Sequence, residues 1–392
     1  MTQLQEKSPK QRLHLHYLDG LRGLAALYVV LVHIEPKMAE QLPKSWLFFE
    51  TFLRYGAFSV VIFIALSGYV LMLPVARSKS GHLSGSLIDY IKRRSRRILP
   101  PYYVALCLCL LLAAAIFVLD KFTSFQWNEE AGKGSFSPYF SFVDVFSHLL
   151  LIHNLSADTF MTINPPMWSV ATEWQIYFLF PLLLLPIWRR FGLLSVVIIA
   201  FLIGIIPIYL LNGLFESASP WFLGIFALGM AAADIGFSQN PKLIAIRNSL
   251  PWGVLAIVFT CVAFVTEWRT LGLHIWIGQS FCGLAAACLF IYCTKHVVDG
   301  KKLPSILWIL QHPWAIALST VSYSLYLIHG PVLVLVRYFL FHLQMSPQMF
   351  MIASYLLGMG MSLLITYPFY LLFERPFLSN SLKKRKVKEV VN

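Results

Sequence analysis

The chain has 392 residues, 58% of them hydrophobic and 12% charged, with a formal net charge of +13. So few charges on so much apolar sequence exclude a water-soluble globular enzyme, because apolar runs of membrane-spanning length recur from end to end. The excess of Lys and Arg calls for no nucleic acid, since it falls on alternate loops as the topology of a polytopic membrane protein requires.

Length and hydropathy place apolar spans at 18–35, 56–75, 98–119, 168–188, 192–212, 218–236, 250–267, 272–294, 313–341 and 348–373. This predicts an all-α, polytopic transmembrane helix bundle of about ten spans. Residues 17–378 form its membrane domain, between an N-terminal segment, 1–16, and a basic tail, 379–392. Cations cluster at Lys7, Lys10 and Arg12, at Arg77, Lys79, Lys92, Arg93, Arg94, Arg96 and Arg97, and again at Arg189, Arg190, Lys242 and Arg247. They return at Lys295, Lys301 and Lys302 and in the tail at Lys383, Lys384, Arg385, Lys386 and Lys388.

If about ten spans alternate, all of these lie on one side. The positive-inside rule makes that side the cytoplasm, so both termini are expected there, with the tail against anionic lipid headgroups. The opposite loops are neutral or acidic. The long one after the third span holds Asp120, Glu129, Glu130, Asp144 and Asp158 against Lys121 and Lys133, and is expected outside. The first span has a signal-like basic flank, but no small-residue cleavage site follows, so it reads as a retained span. Cys107, Cys109, Cys261, Cys282, Cys288 and Cys293 all lie in apolar spans without metal-ligand spacing. They read as small buried hydrophobes, and no metal site is expected.

The first span carries Arg22 and His33 in an otherwise apolar helix. Eleven steps of about 100° bring them onto one face, roughly 16 Å apart along the axis. Ionisable groups at bilayer depth are functional by default; otherwise Arg22 snorkels to the inner surface and His33 sits at the outer interface. Lys92, Arg93, Arg94, Arg96 and Arg97 open the third span. Such a cluster suits a phosphate-bearing anion, or serves only as an orientation signal.

In the fourth span Ser169, Glu173 and Tyr177 follow i, i+4, i+8 and form a polar stripe. A carboxylate there orients a histidine, forms a structural ion pair with an arginine such as Arg54, or faces the outer interface. Depth places both His33 and Glu173 toward the outer ends of their spans, where the two are expected to meet. The ninth span has a second stripe, Ser322, Tyr326 and His329, which lines a cavity or bonds between helices. Ser67-Gly68 reads as a close-packing site, and Glu374-Arg375-Pro376 as an ion pair or helix stop.

Taken in order, these segments resemble the membrane-bound acyltransferase-3 family, whose members acylate carbohydrates and other acceptors of the cell envelope. The resemblance rests on Leu18-Asp-Gly-Leu-Arg-Gly-Leu-Ala-Ala with the Arg22 and His33 spacing, Leu66-Ser-Gly-Tyr69, Arg93-Arg-Ser-Arg-Arg-Ile-Leu-Pro100, Trp168-Ser-Val-Ala-Thr-Glu173 with Tyr177, Tyr323-Ser-Leu-Tyr-Leu-Ile-His329 and Glu374-Arg-Pro376. It implies an integral membrane O-acyltransferase of the plasma or inner membrane. An acyl group, acetyl above all, would pass from cytoplasmic acyl-coenzyme A to a hydroxyl of a carbohydrate or lipid-linked glycan, with no permanently bound cofactor.

By that resemblance His33 and Glu173 are the catalytic pair, and Arg22, Arg94 and Arg97 hold the donor. Ser169, Tyr177, Ser322, Tyr326 and His329 are expected to line the substrate site. The chain departs from the family pattern at Ser59-Val60 and Phe63-Ile64, where Gly-Val and a double Phe are usual. The hydrolase-like domain that some relatives carry is not expected in the tail after residue 378. The competing function is a proton-coupled transporter or flippase using Arg22, His33 and Glu173 as a relay. It finds no inverted repeat and no paired broken helices in the sequence. The sequence leaves the oligomeric state open.

Overall fold

A computed structural model describes residues 14–34, 51–78, 81–128, 134–268 and 271–378, and the basic tail and the first residues lie outside these. Among the described residues every regular element is helical. In hydrocarbon a helix satisfies its own backbone polar groups, and the apolar runs leave the chain no other economical choice.

Helix α1 (His16–Ile34) and helix α2 (Ala57–Ala76) match the first two expected spans. Helix α3 (Leu87–Phe122) is longer than the span at 98–119, because Ser86 caps it and its first turns carry the basic cluster. Ser86 Oγ accepts the Asp89 amide at 3.1 Å while Asp89 Oδ2 accepts the Ser86 amide at 3.3 Å, a reciprocal cap that starts the helix well before its apolar part. A short helix, α4 (Phe142–Leu149), follows, then α5 (Met167–Leu179), a π-type turn (Phe180–Leu184) and α6 (Leu185–Leu210). Helices α7 (Phe222–Phe237), α8 (Pro241–Ser249), α9 (Trp252–Thr266) and α10 (Ile275–Val298) come next. Helices α11 (Pro313–Phe341) and α12 (Pro347–Phe369) complete the bundle, α12 ending in a second π-type turn, Tyr370–Glu374.

Eight helices among the described residues are long and apolar enough to cross a membrane, or nine if α8 and α9, bent by 69°, make one span. The protein is a multi-pass membrane protein. The expected ten shrinks because Met167–Leu210 runs on as one helical stretch of 44 residues, covering the spans expected at 168–188 and 192–212. That stretch turns at Gly192, whose φ of 83° is open to glycine and strained for other residues, and no periodicity argument shows such a break. The cysteines also need correction. Cys109, Cys282, Cys288 and Cys293 are buried, but Cys107 and Cys261 are exposed on the outer faces of α3 and α9.

Helices α2 and α7 cross at small residues. A methyl group on Gly68 would stand 2.0 Å from the Phe226 carbonyl oxygen, and one on Gly229 would stand 2.0 Å from that of Ala65. The backbones therefore touch directly, as small residues at membrane helix crossings allow. Gly68→Ala must push the two helices apart, and overpacking of this kind costs about 1–3 kcal/mol. Thermal unfolding of the purified protein in detergent should show a lowered midpoint for Gly68→Ala. An unchanged midpoint would mean that the crossing yields without cost.

Candidate active site

Near the end of the bundle where α3 begins, helices α1, α2, α3, α5 and α11 surround one chamber. Arg22 of α1, Arg94 and Arg97 of α3 and Glu173 of α5 all line it. Ser67, Ser169, Tyr177, Ser322 and Tyr326 add hydroxyl groups to the wall. It spans about 800 Å³ of empty space, counted out to its open mouth. Three arginines face one carboxylate, so the chamber is electropositive and suited to an anion. Arg94 Nε is buried with no hydrogen-bond partner among the described residues, although the guanidinium lies 5.9 Å from the Tyr177 ring centroid. A buried donor of this kind is an acceptor site waiting to be filled.

The i, i+4, i+8 stripe of α5 faces the chamber as a unit. Tyr177 Oη donates to Glu173 Oε1 at 2.6 Å, and Ser67 Oγ donates to the same oxygen in a very short contact. The hydrogen bonds of Glu173 thus go to Ser67 and Tyr177, and neither to His33 nor to Arg54. Ser169 Oγ shares a hydrogen bond of 2.5 Å with Tyr326 Oη, which joins the two predicted stripes across the interface of α5 and α11. Ser322 turns its hydroxyl onto the Ser319 carbonyl at 2.9 Å while still lining the chamber.

His33 is not in the chamber wall. Its Nδ1 stands 2.8 Å from the Val29 carbonyl oxygen, and its ring packs edge-on against that of His329 with centroids 4.9 Å apart. The expected pairing of His33 with Glu173 is replaced by a pairing of His33 with His329. The two sites still adjoin, because the Tyr326 ring, part of the chamber, lies 5.9 Å from that of His329. His329 is fully buried, its Nδ1 3.1 Å from the Leu325 carbonyl oxygen and its Nε2 without a partner among the described residues. Both Nδ1 atoms face acceptors, so each ring carries its proton there and keeps Nε2 as the acceptor nitrogen.

Sequence reasoning passed over three contributors. Ser67 reads as a packing residue yet holds the Glu173 carboxylate. Arg337, buried in α11, donates to the His33 carbonyl oxygen and, at 3.0 Å, to Ser135 Oγ. A lone arginine in an apolar span was the signal for it. Glu374 does more than stop a helix: buried, it accepts from the backbone amide of Ser324 at 3.2 Å and from its hydroxyl at 2.6 Å. It thereby fixes α11 two residues before Tyr326. At the start of α1, His14 Nε2 stands 3.3 Å from Asp19 Oδ2, with His16 near enough to complete a possible ligand group.

The family profile described as an acyltransferase domain matches residues 15–371, which takes in every residue of the chamber and of the histidine pair. The chain belongs to the acyltransferase-3 family. It is 30% identical over 166 residues to an O-acetyl transferase of Shigella phage Sf6, covering 41% of this chain and 43% of that one. It is 27% identical over 177 residues to the peptidoglycan O-acetyltransferase OatA of Listeria monocytogenes, covering 44% of this chain and 25% of the relative. A putative peptidoglycan O-acetyltransferase of Bacillus subtilis, YrhL, is 25% identical over 338 residues, or 81% of this chain and 48% of its own. The chain thus matches between a quarter and a half of the length of these relatives. No solved structure matches it.

Proposed function

We propose that this member of the acyltransferase-3 family is a membrane O-acetyltransferase that moves an acetyl group from acetyl-coenzyme A to a hydroxyl of a cell-envelope glycan. The observation that carries this reading is the arginine-lined chamber set next to two histidines that each hold Nδ1 against a backbone carbonyl and keep Nε2 as the acceptor nitrogen. Arg94, Arg97 and Arg22 bind the donor phosphates on the cytoplasmic side, where the positive-inside rule puts the start of α3 and both termini. Because α1 is unbroken from His16 to Ile34, His33 stands roughly 16 Å further along it than Arg22. The extended pantetheine arm bridges a gap of that order and delivers the thioester past Tyr326.

At the far end His33 Nε2 takes the proton of the acceptor hydroxyl, and the oxygen attacks the thioester carbonyl. The tetrahedral oxyanion accepts from Tyr326 Oη, whose orientation Ser169 sets. Its collapse breaks the carbon–sulfur bond, and the departing thiolate recovers a proton from His33. His329 shares the charge held on His33 in between. Glu173 takes no proton in this scheme; it anchors Tyr177 and Ser67 and balances one of the three arginines. Relatives named as acting on peptidoglycan support an acceptor among envelope polymers.

The purified protein in liposomes, given acetyl-coenzyme A and a soluble glycan acceptor, should release free coenzyme A and yield an O-acetylated product. Passage of substrate across the membrane without coenzyme A release would establish the transporter or flippase instead. Within the scheme, Arg94→Ala and Arg97→Ala should each raise the KM for acetyl-coenzyme A about ten- to a hundredfold, the worth of one charge-assisted hydrogen bond, and leave kcat nearly unchanged. Lysine at either position keeps the charge without the bidentate fork and should rescue only in part. Unaltered donor KM in both alanine variants would reduce the cluster to an orientation signal.

A further inference from the structure

The stretch between α3 and α5 is turned inside out compared with a loop in water. On α4, Phe142 is 82%, Val143 63% and Phe146 51% exposed, while Asp144, Ser147 and His148 of the same helix are buried. The pattern continues past its end, where Leu149, Leu150 and Ile152 are exposed but His153 and Asn154 are buried. A water-facing helix shows the opposite arrangement, polar out and apolar in. Several of the buried polar groups are hydrogen-bonded. Asp144 Oδ2 accepts from the Ser141 amide at 2.6 Å, and Asn154 Nδ2 donates to Thr172 Oγ1 at 2.9 Å. Gln175 Nε2 donates to Asn154 Oδ1 at 2.8 Å and to the Leu151 carbonyl oxygen at 3.1 Å.

The depth of this stretch is fixed by α3. Tyr102 and Tyr103 donate to the carbonyl oxygens of His148 and Leu149 at 3.0 and 2.8 Å. Tyr103 stands about five residues, or roughly 8 Å of rise, past the start of the apolar run at 98–119, with most of the helix still to climb before it ends at Phe122. The two tyrosines therefore hold residues 148 and 149 within the hydrocarbon depth of α3. Leu108 and Leu111, on the same part of α3, are exposed too, so the apolar surface of α4 continues that of a spanning helix.

We propose that residues 142–152 re-enter the membrane from the side on which α3 ends and bed Phe142, Val143, Phe146 and Leu150 in lipid acyl chains. The expected outer loop is thus in part an intramembrane brace. Its polar inner face grips Thr172 and Gln175 on the back of α5, whose front carries Ser169, Glu173 and Tyr177 into the chamber. The surrounding hydrocarbon keeps that grip tight, because no water competes for its hydrogen bonds. This inference stands on placement alone and does not depend on the reaction catalysed.

The test uses the full chain in liposomes, with the two exposed cysteines removed as Cys107→Ser and Cys261→Ser. Nitroxide labels on Phe142→Cys and Phe146→Cys, with Val143→Cys as a further site should either variant fold poorly, are probed by collision with oxygen and with a water-soluble nickel chelate. The labels should collide with oxygen and be shielded from nickel, as a label on Leu111→Cys would be, with the ratio shifted far from that at exposed Lys242→Cys. Nickel collision equal to that at Lys242→Cys would overturn the proposal in favour of an aqueous loop. Shielding from both agents, with dipolar broadening between copies, would overturn it in favour of an interface between two chains.

Discussion

Replacing His33 with alanine should cost about a hundred- to ten-thousandfold in kcat, the usual worth of a positioned general base, while membrane insertion and donor KM stay close to normal. The separation of effects follows from the geometry. His33 lies outside the chamber proposed to hold the donor phosphates, so its loss should remove proton transfer without removing a phosphate contact. His33→Gln keeps a polar side chain but has no reversible proton acceptor, and it should be as slow as alanine. His329→Gln should be milder than either, because it leaves His33 Nε2 in place and removes only the neighbouring imidazole. Coenzyme A release from the purified variants is the measurement, with tryptophan fluorescence or thermal unfolding as a check of folding. A well-folded His33→Ala protein with near-normal turnover would remove His33 from the mechanism.

The membrane class, most spans and the chamber residues are legible in the chain because each rests on a one-helix rule. Hydropathy over a span depends only on local composition, and the Ser169, Glu173, Tyr177 stripe depends only on the helical period. Contacts between helices are another matter. His33 and Glu173 were expected to meet because both lie toward the outer ends of their spans. Depth leaves the azimuth of each helix undetermined, and the packing turns His33 toward His329 on α11 and Glu173 toward Ser67 on α2. The stretch at 142–155 is expected outside from its acidic residues, a count that is blind to which way they point. Asp144 proves to be the N3 residue of a capping box, spending its charge on Ser141. Family resemblance finds the motif residues but carries no contact map, so the hold of Ser67 on Glu173 and the partners of Arg337 emerge only in three dimensions.

The second large effect concerns Glu173, whose contacts predict a specific pattern of coupling. Glu173→Gln keeps one acceptor oxygen but no charge, so it weakens two charge-assisted hydrogen bonds and leaves three arginines with no anion between them. At about 1.5–3 kcal/mol for a hydrogen bond to a charged group, activity should fall about ten- to a hundredfold. The double variants then separate the possible partners. Glu173→Gln and Tyr177→Phe disturb one hydrogen bond, so their losses should overlap, and the pair should cost little more than Glu173→Gln alone. Glu173→Gln combined with Ser67→Ala should overlap in the same way. His33→Ala should add to Glu173→Gln almost in full, because no contact joins the two side chains and each removes a different step. A His33–Glu173 pair that behaves as a unit, with the second loss costing nothing, would show that the working enzyme brings the carboxylate to the imidazole. The assignment of Glu173 to positioning Tyr177 and Ser67 would then fall.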